Sequence, residues 1–359
     1  MANKKKVYGI ILAFTAFIAY ILLAAQPIPQ ETILSSNWLS SLEAEYDESK
    51  QARGQLIPFT LGGRFGYVDP EGNLSLNKER EQTVSLSAEY WAEYPPSPRE
   101  LLIHNVRQDT EITLSGPQGY PLFLDGRIFL IAKDQCSLEE LDRNGQVLWS
   151  YSFEAPLTCI DAAGSYVLTG TLDGMIDLLD GKGTPLFPSF APGASRIPVI
   201  LGCRISSDGS KLAVISGIDK QRFLFLERYG SNDYRVTYHE FLQGEGFRRE
   251  MQMAFIENDT RVIFEQEAGL GVYDVRSRSS ITLPLSGRLE TLDEMGGSGL
   301  FFYISSGPGG EKRFVAFKPP NLELINIPFK SDSVFLCRRE KELYLGGGMT
   351  LASFTLDKR

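Results

Sequence analysis

Few side chains in this sequence are of the kinds that carry out chemistry, and they are widely dispersed. The 359 residues include four cysteines, none of them in a C-x-x-C spacing, so neither a zinc ribbon nor a thioredoxin-like motif is present. There are two histidines, His104 and His239, and both lie in strand-like runs, where a hydrogen-bonded structural histidine is the commoner role. We therefore expect no catalytic residue, no metal site and no cofactor.

Composition narrows the possible partners. Hydrophobic residues make up 43% of the chain and charged residues 23%, which is typical of a globular protein with a large core. The formal net charge is -9, and beyond the N-terminus the basic residues are scattered, so no basic face is available for nucleic acid. A nucleic-acid partner is not expected.

The elements that would position any site are short repeated strands. Four strand-like runs lie between Leu157 and Phe190, separated by glycine-containing turns such as Asp173-Gly174. The same order of runs occurs upstream, from Tyr120 to Phe153, and downstream, from Val199 to Leu242. One four-stranded sheet cannot cover both of its faces, so the repeats predict sheets stacked against one another.

Two kinds of repeat sequence carry a family resemblance. The strings LEELDRNGQVLWSYSF and VLTGTLDGMIDLLDGKGTPLF resemble quinoprotein-type repeats, and the stretch from Ser206 to Ala213 resembles the S-P-D-G-x-x-L-A turn of WD40-like propellers, with Ser207 in place of proline. The resemblance implies an all-β fold, a β-propeller over residues 55–359. It is specific for the fold, because such repeats occur in enzymes and in non-catalytic scaffolds.

The resemblance also supplies two functional comparisons. Quinone-dependent dehydrogenases of this type carry an adjacent cysteine pair, a calcium site and a catalytic aspartate, whereas this sequence has no vicinal cysteines and no concentrated acidic cluster with ligand spacing. The chain is closer in class to the non-catalytic propeller subunit of the outer-membrane barrel assembly machinery. That subunit is anchored through a lipidated cysteine, which this chain lacks.

The number of blades follows from the spacing of equivalent turns. These spacings range from 36 residues, between Val106 and Asp142, to 47 residues, between Glu227 and Asp274. The longer spacing favours seven blades and the shorter one allows eight. The last repeat is one strand short, and we expect the segment from Leu56 to Leu61 to supply the missing strand and close the ring.

The N-terminal sequence predicts a membrane anchor in residues 1–25. Residues Val7 to Ala25 are 19 uncharged, mostly apolar residues, which is long enough to span a bilayer as a helix. Lys4, Lys5 and Lys6 precede them, so the positive-inside tendency predicts a single-pass inner-membrane protein with its C-terminal domain in the periplasm. The alternative is a cleaved signal peptide, for which Leu23-Ala24-Ala25 is a poor cleavage site.

Residues 26–54 are interpreted as a spacer that contains a short amphipathic helix. Asn37 is a candidate N-cap, and one side of the helix would carry Trp38, Leu39, Leu42 and Tyr46. This stripe either packs on the propeller or membrane, or docks a partner.

A second candidate contact surface is the aromatic cluster Tyr90, Trp91 and Tyr94, since aromatic residues concentrate in interfaces. The alternative is that these side chains pack between blades.

Three of the cysteines occupy matching positions. Cys159, Cys203 and Cys337 each lie in the first strand of a repeat, the strand that lines the central channel of a propeller. Equivalent positions on neighbouring blades tend to lie too far apart for a disulfide, so we expect free thiols that serve as small apolar residues, although a disulfide is conceivable in an oxidising compartment.

Together these features predict a non-catalytic, membrane-anchored propeller that acts as a protein-interaction scaffold in the cell envelope. Its partners would be envelope proteins, with the membrane contacted through residues 7–25. The alternative function is a propeller that binds a quinone or another small ligand in its central channel.

The predicted orientation can be tested by reporter fusions after Arg359. Alkaline phosphatase is expected to be active there and a reporter that fluoresces only in the cytoplasm is expected to be dark, because the lysines hold the N-terminus inside. A fluorescent, phosphatase-negative pair of fusions would reverse the orientation.

Overall fold

The computed structural model describes residues 13–20, 32–43, 55–116, 119–187, 190–230, 233–244, 246–285, 287–293 and 299–358. Thirty strands in these ranges form eight antiparallel sheets, six with four strands and two with three. Each sheet is one blade, and we number the blades in chain order.

The strands of the first four blades follow one another along the chain. Blade 1 contains β2 (Ile57–Leu61), β3 (Arg64–Val68) and β4 (Leu74–Glu79); blade 2 contains β5 (Thr83–Leu86), β6 (Tyr90–Tyr94), β7 (Glu100–Asn105) and β8 (Thr110–Ser115); blade 3 contains β9 (Gly119–Leu124), β10 (Arg127–Ala132), β11 (Ser137–Leu141) and β12 (Val147–Ser152); blade 4 contains β13 (Leu157–Ala163), β14 (Tyr166–Thr171) and β15 (Ile176–Leu179).

Blades 5 to 7 are also built from consecutive strands, whereas blade 8 takes its fourth strand from the N-terminal side of the chain. Blade 5 contains β16 (Ile200–Ile205), β17 (Lys211–Ser216), β18 (Arg222–Arg228) and β19 (Tyr234–Phe241); blade 6 contains β20 (Met253–Ile256), β21 (Arg261–Gln266), β22 (Gly269–Asp274) and β23 (Ser279–Leu283); blade 7 contains β24 (Arg288–Leu292), β25 (Phe301–Ser306), β26 (Lys312–Lys318) and β27 (Leu322–Phe329); blade 8 contains β28 (Val334–Arg339), β29 (Glu342–Gly347), β30 (Thr350–Lys358) and, from the N-terminal side, β1 (Thr32–Ser41).

Apolar side chains between successive blades join the sheets into a ring. Among the described residues, seven buried clusters each combine residues of two successive blades, from blades 2 and 3 around to blades 8 and 1. Between blades 1 and 2, the rings of Phe65 and Trp91 lie 5.5 Å apart and the Tyr67 hydroxyl donates to the Ser87 carbonyl at 2.8 Å. Because every blade is covered on both faces, the architecture is an eight-bladed β-propeller.

The prediction that seven blades are favoured over eight is wrong. The longer spacings in the second half of the chain come from extended connections and not from larger blades, as in residues 242–252, which separate β19 from β20. The shorter spacing of the first repeats was the better guide to the number of blades.

The ring is closed by an N-terminal strand, but not by the predicted one. β1 is the outermost strand of blade 8 and pairs with β30 from Thr32↔Lys358 to Ser41↔Thr350. The segment from Leu56 to Leu61 instead includes β2 of blade 1.

The same strand replaces the amphipathic helix that was predicted around Asn37. A bulge between Ser36 and Trp38 shifts the register, and Trp38 and Leu39, which were assigned to one helix face, pair with successive residues of β30. Successive strand residues point to opposite faces, so these two side chains face different blades. Tyr46 lies outside the described residues.

The aspartate turns predicted from the sequence recur with the same hydrogen bonds. In blades 1, 3 and 4, Asp69, Asp142 and Asp180 each accept a backbone hydrogen bond from the glycine three residues later, Gly72, Gly145 and Gly183. Each carboxylate also accepts from the backbone N–H four residues later. The side chain thus satisfies a turn donor that would otherwise have no partner.

The glycine of this turn also receives a side chain from the preceding blade. A Cβ atom on Gly72 would lie 2.6 Å from Trp38, and one on Gly183 would lie 2.6 Å from Trp149. The Trp38 indole N–H donates to the Pro70 carbonyl at 2.7 Å, and that of Trp149 donates to Glu140 Oε2 at 2.7 Å. In two of these turns the indole ring of a tryptophan from the preceding blade therefore packs directly against the glycine.

Most of the predicted anchor, residues 1–25, lies outside the described residues. The part that the structure describes, residues 13–20, is helical. No helix in the part of the chain that the structure describes has the length and apolarity needed to cross a membrane.

The packing of Trp38 against Gly72 predicts that two glycine-to-alanine variants differ in stability. Both Gly72 (φ +89°) and Gly63 (φ +77°) adopt the left-handed region, but a Cβ on Gly63 would meet nothing within 4 Å. Gly63→Ala should lose about 1 kcal/mol of stability from backbone strain, and Gly72→Ala about 1 to 3 kcal/mol more from overpacking. Denaturant unfolding of the two variants measures the difference. Equal losses in the free energy of unfolding would contradict the packing of Trp38 on Gly72.

Candidate functional site: a cavity at the upper rim

The ring has two edges, and we call one of them the upper rim. In blades 2 to 8 this edge carries the connection that enters each blade and the turn between its second and third strands. A cavity of about 520 Å³ opens among the inner strands of blades 2 to 5, which is within the usual size range of ligand pockets. Its lining combines apolar, hydroxyl and charged side chains. The polar members are Ser85, Tyr94, Tyr120, Gln135, Thr158, Asp161, Arg204 and Glu250.

One wall of the cavity is fixed by a hydroxyl network. The Ser85 hydroxyl donates to the Pro121 carbonyl at 2.6 Å and, with its proton used there, accepts from the Tyr94 hydroxyl at 3.0 Å. Tyr120 donates to the Pro96 carbonyl at 3.1 Å, and its ring lies 6.0 Å from that of Tyr94. Burial raises the pKa of Tyr94 above its ordinary value, so its hydroxyl remains a donor at neutral pH.

Charges of both signs line the opposite wall. One Asp161 carboxylate oxygen accepts the Ile205 backbone N–H at 2.8 Å, which links blade 4 to blade 5. The Arg204 guanidinium donates to the Cys203 carbonyl at 2.9 Å. With Glu250 in the same lining, the cavity combines charged and hydroxyl groups with apolar side chains, which is typical of a specific binding site.

The cysteines beside this wall are structural. All four cysteines are free thiols. The distance argument for this expectation is wrong for one pair, because Cys159 and Cys203 are buried in the same cluster between blades 4 and 5 and lie within hydrogen-bonding distance of each other. Burial, followed by a hydrogen bond with Cys159, raises the pKa of Cys203 well above its usual range. Since the thiolate is the reactive form, Cys203 is a poor nucleophile.

Next to the cavity, the upper rim carries an exposed apolar patch, which we call the rim patch: Pro156, Leu172, Ile197 and Pro198. Leu172 and Ile197 are each 51% exposed. The Leu172 N–H donates to the Pro156 carbonyl at 2.8 Å, and a Cβ on Gly174 would lie 2.4 Å from the Pro198 carbonyl oxygen. Pro156 directly precedes Leu157 of the cavity lining, so the rim patch begins one residue along the chain from the cavity.

The aromatic residues proposed as partner contacts lie in structural positions. Tyr90 and Tyr94 are buried between blades 2 and 3. Trp91 is half-buried, stacked on His104 at 3.9 Å and covered by the Lys78 ammonium at 4.9 Å. Trp38 is held between Tyr344 and the turn of blade 1. Of the four, Tyr94 alone lines the cavity.

The histidines lie in different blades. His104 is on β7 of blade 2, where its Nδ1 lies 2.9 Å from Glu111 Oε1 and burial lowers its pKa. His239 is exposed on β19, the outer strand of blade 5. Within the described ranges, no three His, Cys, Asp or Glu side chains are grouped so that they could hold a metal ion.

The cavity residues Asp161, Arg204 and Tyr120 were not singled out by the sequence. A usable signal was present, because Asp161 and Arg204 follow the matched cysteines Cys159 and Cys203 on inner strands. Both residues lie on first strands, which were predicted to line the channel.

Comparisons with known proteins agree with the geometry. A family model described as beta-propeller protein matches residues 1–358. A protein of Treponema pallidum (strain Nichols), described as an uncharacterized protein, is 25% identical over 359 residues, which covers 98% of this chain and 94% of its own length.

Two solved structures share the fold. BamB from Moraxella catarrhalis matches with a TM-score of 0.59 at 12% identity, covering 90% of this chain and 100% of the BamB chain. The computationally designed Ika8 protein also gives 0.59 at 12% identity, covering 90% of this chain and 96% of its own. At this identity the likeness shows the fold alone.

The burial of the thiols predicts their order of reaction with iodoacetamide. Cys136, which is half-buried, should be alkylated in the native protein, whereas Cys159 and Cys203 should react only after unfolding. Mass spectrometry of time points gives the order. Native alkylation of Cys203 as fast as that of Cys136 would show that the channel wall opens to solvent.

Proposed function

The chain belongs to the β-propeller protein family, and on that premise we propose that it is a non-catalytic, membrane-anchored scaffold that binds other proteins of the cell envelope. Its binding surface would be the upper rim, where the cavity adjoins the rim patch.

The observation that carries this proposal is that exposed apolar side chains lie on the same rim as a cavity lined by charged and hydroxyl groups. Protein interfaces combine an apolar centre with hydrogen-bonding groups around it. Leu172 and Ile197 supply the apolar part, while Tyr120, Asp161 and Arg204 offer hydrogen-bonding groups and both signs of charge. A partner loop that placed apolar residues on the patch and a polar residue in the cavity would satisfy both.

The location in the envelope rests on the sequence before the ring. Lys4 to Lys6 and the apolar run after them favour an anchor with the propeller outside the cytoplasm. The likeness in class to the propeller subunit of the barrel assembly machinery supports a scaffold, since that subunit is non-catalytic.

Photo-crosslinking in intact cells tests the binding surface. A benzophenone amino acid at Leu172 of the full chain should form discrete adducts with envelope proteins, because that position is exposed beside the cavity. The control position is Ile281, an apolar residue 37% exposed on the outer strand β23, which should give none. Leu172→Asp should weaken copurification of the same proteins by about tenfold, as expected for the loss of an apolar interface centre.

No adduct at Leu172, or the same adducts at Leu172 and Ile281, would remove the upper rim as the binding surface.

The size of the cavity favours one alternative, a quinone or another small ligand held in the channel. That function predicts a bound chromophore or quinone-dependent dye reduction in the purified protein. Such activity, lost on substitution of Arg204, would replace the scaffold proposal.

A further inference from the structure

A second surface, far along the ring from the cavity, is almost entirely apolar. A groove of about 350 Å³ lies between blades 7 and 8. Apart from Thr350 its lining residues are glycine or apolar, and the larger ones include Leu39, Phe314, Ile327, Phe329 and Phe354. We call it the seam groove.

The seam groove continues into an exposed stripe along β27. The pairing of β26 with β27 places Ile327 opposite Phe314, Ile325 opposite Ala316 and Leu322 opposite Lys318. Directly paired residues share a face of the sheet, so Leu322, Ile325 and Ile327 all lie on the face that carries Phe314. Leu322 is 53% exposed and Ile327 52%, and Leu39 across the groove is 75% exposed.

Blade 8 contributes small residues, Gly347 and Ala352, to the groove beside its larger Leu345 and Phe354. A Cβ on Gly347 would lie 3.4 Å from Ser331 Oγ and 3.8 Å from Phe329, so this position leaves open space in the groove. Blade 8 is also the blade whose outer strand comes from the N-terminal side of the chain. The apolar surface thus lies beside the strand to which residues 1–31 connect.

Chain length limits how far this surface can be from a membrane. Only residues 26–31 separate the apolar run that ends at Ala25 from the start of β1 at Thr32. Seven residue steps span at most about 25 Å when fully extended. Thr32 pairs with Lys358 at the end of the third strand of blade 8, and Leu322 follows the third strand of blade 7, so both lie at the edge opposite the upper rim. From there the outer strands β1 and β27 run toward the upper rim, where Leu39 pairs with Ala352 near the turn between Gly347 and Thr350.

The charges around the stripe suit a lipid headgroup region. Exposed Lys318 and Lys330 lie before and after β27, where lysine side chains can reach headgroups while apolar neighbours enter the bilayer boundary. Glu323 pairs with Phe317 on the opposite face of the sheet and accepts from the Asn326 amide at 3.2 Å. The Glu323 carboxylate is therefore turned away from the stripe.

We propose that the propeller rests with blades 7 and 8 on the membrane surface, and that Leu39, Leu322 and Ile327 enter the interface between headgroups and acyl chains. This inference rests on the proposed membrane anchor. It adds an orientation, in which the ring stands edge-on with the outer strands of blades 7 and 8 on the membrane. The upper-rim cavity of blades 2 to 5 then remains free for partners.

Quenching by brominated lipids tests this contact in the full chain. Ile327→Trp and Leu322→Trp place a reporter in the stripe, and Val236→Trp on β19 of blade 5 is the matched control, an exposed β-branched residue of another outer strand. Each variant is reconstituted in vesicles of ordinary or brominated phosphatidylcholine, and the emission of the unsubstituted chain is subtracted. The added emission should fall roughly twofold at 327 and 322 and stay unchanged at 236, because indoles at the interface lie near the bromines.

Flotation of the same vesicles reports the anchor separately. If the chain floats with the vesicles but residues 327 and 322 are not quenched, the edge-on contact is wrong and the anchor stands. Equal quenching at 236 also contradicts the contact. If the chain does not float, the anchor fails and the inference fails with it. A benzophenone at Leu39 that crosslinks to a protein and not to lipid would assign the seam groove to a protein partner and overturn the proposal.

Discussion

The pairing of β1 with β30 is the interaction on which the ring depends. Each blade covers its faces with its neighbours, so an unpaired outer edge in blade 8 would leave the seam between the first and last blades exposed. Nine paired positions close this edge, and side chains support it, with the Asn37 amide donating to Ser353 at 3.1 Å and Thr355 donating to the Asn37 carbonyl oxygen at 3.0 Å. Trp38 then fastens blade 8 to the blade 1 turn, so that one strand joins both ends of the ring.

This closure has a functional consequence. The strand that completes the ring is also the strand nearest in sequence to the apolar N-terminal run. An anchor in that run would therefore hold the ring through blade 8. The proposed scaffold therefore has two separate surfaces on one rigid body. One is the polar cavity with its rim patch on blades 2 to 5, and the other is the apolar seam groove between blades 7 and 8. Scaffolds of this kind act by holding loops at a fixed place, and the closed ring supplies the rigidity.

The sequence predicted the repeated sheet and its turns, because aspartate and glycine at fixed spacing, as in Asp142 and Gly145, specify a local geometry that packing does not override. It did not predict β1. Trp38, Leu39 and Leu42 have helical spacing, but their partners lie more than 300 residues away, so a local pattern cannot show the pairing. The residues that line the cavity were missed for a similar reason. Tyr90 and Tyr94 appeared in an aromatic cluster that the fold buries, whereas Asp161 and Arg204 come together only when neighbouring inner strands meet.

Native mass spectrometry of the full chain, released in lipid nanodiscs from its own membranes, tests the scaffold claim most directly. It weighs whatever remains bound without labelling any residue. The account predicts complexes in which the chain carries one or more whole proteins in fixed stoichiometry, and predicts that these dissociate when Leu172 and Ile197 are both replaced by aspartate. A chain that carries a small molecule and no protein, with its mass unchanged by those substitutions, would contradict it.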